Sequence, residues 1–208
     1  MLNRLVLMSG GMDSSMLLAS EVEMLRQAKQ RDGVSWKLAA AFFNYGQANY
    51  EEELRASNAI CELLRVPLYV YQLPDLVTGL TPGSVIPARN LIFASIGANI
   101  VCQWGGGQVL LGACAEDQEG FPDCRPQFID NFNHTFLECE LAVELLAPLT
   151  HLSKAEAIHL RKTMPEASHI LALSHSCYLG GDEPCGTCGA CVKRIAAFQE
   201  AGMDDPAT

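Results

Sequence analysis

No stretch of eighteen apolar residues occurs in this 208-residue sequence, which excludes a membrane-spanning helix. The N-terminus lacks the charged-then-apolar layout of a signal peptide, so a cytoplasmic protein with no membrane contact is expected. Cations are scarce: 14 Lys and Arg stand against 24 Asp and Glu, a formal charge of −10. Tight nucleic-acid binding needs clustered cations to neutralise phosphates, so no nucleic-acid partner is expected. Internal repeats, low-complexity tracts and long linkers are also missing, and residues 1–208 read as a single domain. The 49% hydrophobic content is ample for its core. No lysine follows the first pair of glycines, which excludes the Gly-x-x-x-x-Gly-Lys-Ser/Thr phosphate loop.

What is present begins at Arg4-Leu-Val-Leu-Met-Ser-Gly-Gly-Met-Asp-Ser-Ser15. The apolar run Leu5 to Met8 predicts a buried strand. It breaks at Ser9-Gly10-Gly11 and is followed by a helix from Met16 to about Lys29. Two glycines let successive N–H groups and the new helix N-terminus converge on one point, which attracts an anion. Hydroxyls of Ser9, Ser14 and Ser15 add hydrogen bonds, and Asp13 is placed to hold magnesium. A plain glycine turn with an Asp cap is the bland alternative. The segment resembles the PP-loop, Ser-Gly-Gly-x-Asp-Ser, of enzymes that cleave ATP to AMP and pyrophosphate.

Strand and helix patterns alternate along most of the chain. Trp36–Phe43 and Pro67–Leu73 predict strands, with a helix over Tyr50–Arg65 between them. A Pro/Gly-containing loop, Pro74–Pro87, leads to an apolar helix over Leu91–Trp104. Gln108–Gly112 predicts a strand, Ala113–Arg125 a polar loop, and residues 126–141 a helix. Leu145–Leu149 reads as extended, and Ser153-Lys-Ala-Glu156 as a capping box opening a helix. The expected class is α/β, a Rossmann-like parallel sheet with helices on both faces and ligands beyond the strand C-termini.

Nine cysteines are unevenly spread. Cys177, Cys185, Cys188 and Cys191 crowd into one Gly-rich segment, and a reducing compartment argues against disulfides. Cys-x-x-Cys spacing lets two thiolates grip one ion, and Cys177 can close the tetrahedron. With no open position, the zinc expected over 177–191 is structural; an iron–sulfur cluster or a redox dithiol are the competing assignments. Cys61, Cys102 and Cys139 are expected to be packing.

Taken together, the chain resembles the 7-cyano-7-deazaguanine synthase family over nearly its whole length. The motifs are Ser9-Gly-Gly-Met-Asp-Ser14, Asn44-Tyr-Gly-Gln47, Val85-Ile-Pro-Ala-Arg-Asn-Leu-Ile-Phe93, Gly112-Ala-Cys-Ala-Glu-Asp117 with Gly120-Phe-Pro-Asp-Cys-Arg-Pro126, Pro148-Leu-Thr-His-Leu-Ser-Lys-Ala-Glu156 and Ser176-Cys-Tyr with the cysteine cluster. The resemblance implies an adenine nucleotide alpha hydrolase-like fold, structural zinc, magnesium, ATP as co-substrate and a homodimer. It implies conversion of 7-carboxy-7-deazaguanine to the nitrile with ammonia. Ser9, Gly10, Gly11, Ser14 and Ser15 would then hold pyrophosphate, with Asp13 on magnesium. Arg89 and Lys154 would neutralise phosphate or the substrate carboxylate, making Asp13, Ser14, Arg89 and Lys154 the catalytic set. Glu116, Asp117 and Asp123 are candidates to accept the two N–H donors of the guanine-like edge.

Each candidate has a bland alternative. Arg89 and Arg125 could simply pair with nearby acids, whereas Lys154 at a helix start is electrostatically misplaced unless it has a task. Cys114 and Cys124 lie in the candidate substrate loop, as packing or as nucleophiles. His175 could stack on the base; His134, His151, His159 and His169 read as surface or helix residues.

Asn44, Ala48-Asn49, Ala88, Cys114, Phe121 and His175 depart from the family's pattern around the pocket. They keep open an enzyme that couples the activated carboxylate to another amine, such as a protein amino group, and stops at the amide. A non-catalytic nucleotide-binding adaptor is the alternative of another class, and tRNA thiolation conflicts with the acidic charge.

Overall fold

The computed structural model describes residues 3–81, 84–161, 164, 166–181 and 183–207. Pro82 and Gly83 of the expected loop and Asp182 of the cysteine segment lie outside these residues.

Five strands, β1 (Asn3–Met8), β2 (Leu38–Asn44), β3 (Leu68–Gln72), β4 (Gly107–Leu111) and β5 (Val143–Leu146), form one sheet in the order β3-β2-β1-β4-β5. All four pairings are parallel, with Leu5 opposite Ala39 on one side and Val109 on the other. Parallel neighbours need crossover segments, and helices supply them: α1 (Met12–Asp32), α2 (Tyr50–Leu64), α3 (Arg89–Gln103) and α5 (Pro126–Glu138). The expected α/β parallel sheet is borne out.

Period-two alternation along β1 splits the core. Val6 and Met8 join Met16, Leu17 and Ile60 on one face, while Leu5 and Leu7 join Ala94, Val101 and Phe132 on the other. Both faces are apolar, so the strands read as continuous hydrophobic runs. Three further helices, α6 (Lys154–Arg161), α7 (Ala167–Leu173) and α8 (Gly189–Glu200), complete the first face.

Several boundaries differ from expectation. Helix α1 starts at Met12 rather than Met16, because Asp13, Ser14 and Ser15 form its first turn. Strand β2 begins at Leu38, not Trp36, and β5 covers Val143–Leu146 instead of running to Leu149. The polar loop after β4 contains a short helix, α4 (Asp117–Gly120), and a 3-10 turn at Pro122–Cys124. The capping box forms: the Ser153 N–H donates to Glu156 Oε2 at 2.8 Å, and the Glu156 N–H to Ser153 Oγ at 3.0 Å. Cys61 is buried as expected, but Cys139 is exposed and packs nothing. His134, His151, His159 and His169 are exposed.

Ala88 caps the N-terminus of α3 at φ 59° and ψ 18°. Its Cβ crowds the following carbonyl in this left-handed region. Replacing Ala88 with Gly is expected to stabilise the fold by about 0.5–1 kcal/mol, after the greater freedom of unfolded glycine is counted. Urea unfolding measures this, and an unchanged midpoint would mean that the strain is relieved elsewhere.

Candidate active site

Chain order reverses between β1 and β4, so the connections leaving their C-terminal ends run to opposite faces of the sheet and leave a crevice between them. A cavity of about 490 Å³ lies there. The Ser9–Gly11 turn after β1 forms one wall. There the Ser9 N–H donates to Ser14 Oγ at 3.2 Å, the Gly11 N–H to Ser9 Oγ at 3.3 Å, and the Ser9 and Ser14 hydroxyls stand 3.0 Å apart. Gly10 has φ 71°, and a Cβ there would lie 2.4 Å from the Glu53 carbonyl oxygen. Only glycine satisfies both constraints. Gly112, just beyond β4, approaches the Ser14 backbone so closely that a Cβ would sit 2.9 Å from it.

Of the expected nucleotide residues, Ser9, Gly11, Asp13 and Ser14 line the cavity. Gly10 and Ser15 sit behind it, Ser15 donating its hydroxyl to the Gly11 carbonyl at 2.7 Å. Lys154, at the start of α6, reaches into the crevice and bridges Asp13 at 2.5 Å and Asp117 at 2.9 Å. Burial pushes the Asp13 carboxyl up; Lys154 opposes this and Asp117 adds to it. Burial also works against the Lys154 ammonium, but Asp13 and Asp117 outweigh it and hold its pKa above the ordinary value. A charge placed unfavourably at one helix start is thus held by two carboxylates from the first turns of two others, α1 and α4.

The three acidic candidates separate. Asp117 lines the cavity, where its Oδ2 also accepts the Cys114 N–H at 3.0 Å and its Oδ1 lies 3.5 Å from Lys193. Glu116 does not line it; both carboxylate oxygens accept the Lys154 backbone N–H, capping α6. Asp123 lies outside the lining as well, accepting the Asn90 N–H at 3.2 Å at the start of α3. Arg125 is placed on the Gln118 carbonyl at 2.9 Å, away from the cavity. Arg89 does line it: burial works against its charge, and Tyr45, Asp123 and Glu53 more than compensate. His175 lines it too, its N–H on the Gly10 carbonyl at 2.9 Å and its ring 3.0 Å from the Cys177 carbonyl. Cys114 is fully buried with its sulfur 3.4 Å from Asp13, and burial pushes its thiol far up. Burial raises the Cys124 thiol to about 12, so neither is a thiolate nucleophile near neutrality.

Tyr45, Gln47, Glu53 and Lys193 also line the cavity, though sequence patterns did not single them out as site residues. Tyr45 and Gln47 follow directly on β2, a position that marks a ligand loop in such sheets. Asn49 and Glu53 are four residues apart at the start of α2, and the Asn49 amide donates to Glu53 at 3.0 Å.

The sulfurs of Cys177, Cys185, Cys188 and Cys191 lie within 4.8 Å of one another and could hold a metal ion. The Cys188 N–H points at the Cys185 sulfur at 3.3 Å, as donors around a metal-bound thiolate do. This segment is anchored to α2: Asn49 donates to the Cys177 carbonyl at 2.9 Å, and the Gly181 N–H to Glu52 at 2.8 Å. Among the described residues no helix is long and apolar enough to cross a membrane.

Known proteins resemble this chain in fold and in sequence. The U34-tRNA thiolase NcsA from Methanococcus maripaludis, solved with its [4Fe-4S] cluster, aligns over 95% of this chain with a TM-score of 0.51. At 14% identity the likeness is one of fold, and this chain spans 64% of the thiolase. A 7-cyano-7-deazaguanine synthase from Nautilia profundicola is 31% identical, covering 96% of this chain and 95% of the relative. Another, from Chlorobium phaeobacteroides, is 33% identical over 97% of this chain and 94% of its own length. The model of a family described as queuosine biosynthesis protein QueC matches residues 75–202. With full-length relatives at this identity and a family match over more than half its length, the chain belongs to the QueC family.

Proposed function

We propose that the protein activates the carboxylate of 7-carboxy-7-deazaguanine with ATP and transfers it to ammonia, giving 7-cyano-7-deazaguanine by way of the amide. The observation that carries this is the bridging of Asp13 and Asp117 by Lys154 beside the Ser9–Ser14 loop. A carboxylate is a poor electrophile. Its oxygen attacks the α-phosphorus, the bond to pyrophosphate breaks, and an acyl-adenylate results. Ammonia displaces AMP to give the amide. A second ATP then adenylates the amide oxygen with release of pyrophosphate, and loss of AMP and of both protons on the nitrogen leaves the nitrile.

The protein's part in each step is positioning and charge stabilisation. N–H groups of the first turn of α1 would face the departing pyrophosphate, with the Ser9 and Ser14 hydroxyls beside them. Lys154 and Arg89 place positive charge where phosphate and carboxylate oxygens gather. Gly10 and Ser15 shape the loop from behind. Magnesium, supplied with ATP, is a hard cation that suits the Asp13 and Asp117 oxygens; the Cys114 sulfur, within the same 4.8 Å group, is too soft for it. It would spread the charge of the phosphates.

The cysteine set suits zinc. Zinc–sulfur bonds put tetrahedral sulfurs roughly 3.8 Å apart, and Cys185 and Cys191 stand at 3.9 Å. In a four-iron cluster each sulfur binds its own iron, so the sulfurs must spread further. Zinc here would cross-link the segment rather than take part in the chemistry.

The test is mass spectrometry of products after incubation with 7-carboxy-7-deazaguanine, ATP, magnesium and ammonium. Free nitrile with AMP is the expected result. AMP without nitrile would redirect the search to another amine, such as a protein amino group, and no AMP would overturn the proposal.

A further inference from the structure

Among the described residues three carboxylates line the cavity: Asp13, Asp117 and Glu53. The first two are held by Lys154, and Asp117 also faces Lys193. Glu53 differs. Its Oε2 accepts the Gln47 amide at 3.1 Å and its Oε1 the Asn49 amide at 3.0 Å, and no cation stands within ion-pair distance of it among the described residues. Arg89 acts on it from farther off while engaged with Tyr45. A carboxylate has about four acceptor positions, so two remain after these amides. Burial pushes the Glu53 carboxyl up to about 7, and the two amides and Arg89 offset it only in part.

The same cavity has aromatic walls. Tyr45 and Phe93 meet at 5.4 Å between ring centroids, and Tyr178 and His175 line the same cavity. A planar heterocycle fits such walls, and its edge must satisfy the carboxylate. An adenine edge alternates donor and acceptor, so one carboxylate oxygen would meet a ring-nitrogen lone pair. A 2-aminopyrimidinone edge, as in guanine and its 7-deaza relatives, presents two adjacent N–H donors that match two carboxylate oxygens.

Building on the proposed function, we infer that Glu53 is the specificity-determining contact, accepting the ring N–H and 2-amino N–H of the deazaguanine. Glu116 and Asp123, the other acidic candidates, lie outside the cavity, and Asp117 is committed to its lysines. Gln47 and Asn49 hold the carboxylate in place. A substrate without the 2-amino group leaves a buried acceptor unpaired, which costs affinity.

The experiment is calorimetric titration, without ATP, of 7-deazaguanine and of 7-deazahypoxanthine, which lacks only the 2-amino group. Wild-type protein is expected to favour 7-deazaguanine by about 10- to 100-fold. Glu53→Gln, whose amide offers one acceptor where two are needed, should erase that preference while keeping its melting temperature. Equal binding of both bases by the wild type overturns the inference without reliance on any variant, and so does a preference that survives Glu53→Gln. If the product assay still yields AMP from 7-carboxy-7-deazaguanine, only the assignment of Glu53 has failed. If wild-type protein binds neither base and forms no AMP, the proposed function has failed with it.

Discussion

Replacing Lys154 with methionine is expected to lower AMP formation by about 10²- to 10³-fold, the range for removing one preorganised charge from a reacting oxyanion. Methionine keeps much of the length and apolar stem, so the loss reports the ammonium itself. That ammonium sits between Asp13 and Asp117 and is well buried. Its removal leaves two crowded carboxylates without their shared partner, a change that costs about 3–5 kcal/mol when a buried pair is broken. The pH dependence distinguishes this cost from a packing defect. Asp13 already has its carboxyl pushed above 3.8 by burial, and Lys154 is the main influence opposing that. Without Lys154 the folded-state value rises further. A raised carboxyl pKa means the native state holds its proton more tightly than the unfolded chain does, so stability present at acid pH is lost as pH rises. The variant's deficit should therefore be small near pH 3.8 and grow as pH rises. Urea unfolding across that window, beside a pyrophosphate-release assay, measures both effects. Near-normal pyrophosphate release would remove Lys154 from the reaction, and a deficit that ignores pH would show that the carboxylates are not its source.

Replacing Cys188 with serine is expected to abolish stable metal binding and to destabilise more than the C-terminal segment. Where a structural metal is bound only by the folded chain, its binding free energy is folding free energy. A loss of about 3 kcal/mol would lower the melting temperature by roughly 6–12 °C in a chain of this size. The effect should extend to nucleotide affinity, because the cysteine segment is tied to the Ser9–Ser14 loop, where the proposed function puts pyrophosphate. The His175 N–H donates to Gly10, and Asn49 joins Cys177 to Glu53. Metal content by mass spectrometry, thermal unfolding and ATP titration would be read on the same sample. Retention of metal with an unchanged melting temperature would exclude the four-sulfur site.

The parts legible in the sequence are those whose meaning is local. Ser9-Gly-Gly-Met-Asp-Ser14 carries its turn and helix start within a few residues, and the cysteine spacing carries its own geometry. The Ser153–Glu156 box forms as expected, because both hydrogen bonds lie within one turn. Sequence patterns located the loop containing Glu116 but not its occupation by the first N–H of α6, since that meeting depends on where α6 docks. Lys193 and Glu53 were invisible for the same reason: each sits on an ordinary helix face, and only the fold turns that face toward the crevice. The left-handed conformation at Ala88 was hidden because alanine gives no sign of it, where glycine would have.

The bond between His175 and Gly10 also orders events in time. The glycine loop leaves the ribosome well before the backbone that closes it from behind. Nascent chains therefore expose an anion-attracting turn that lacks its rear support. Pairing residues so far apart in the chain delays assembly of the crevice wall until the segment around His175 has been made.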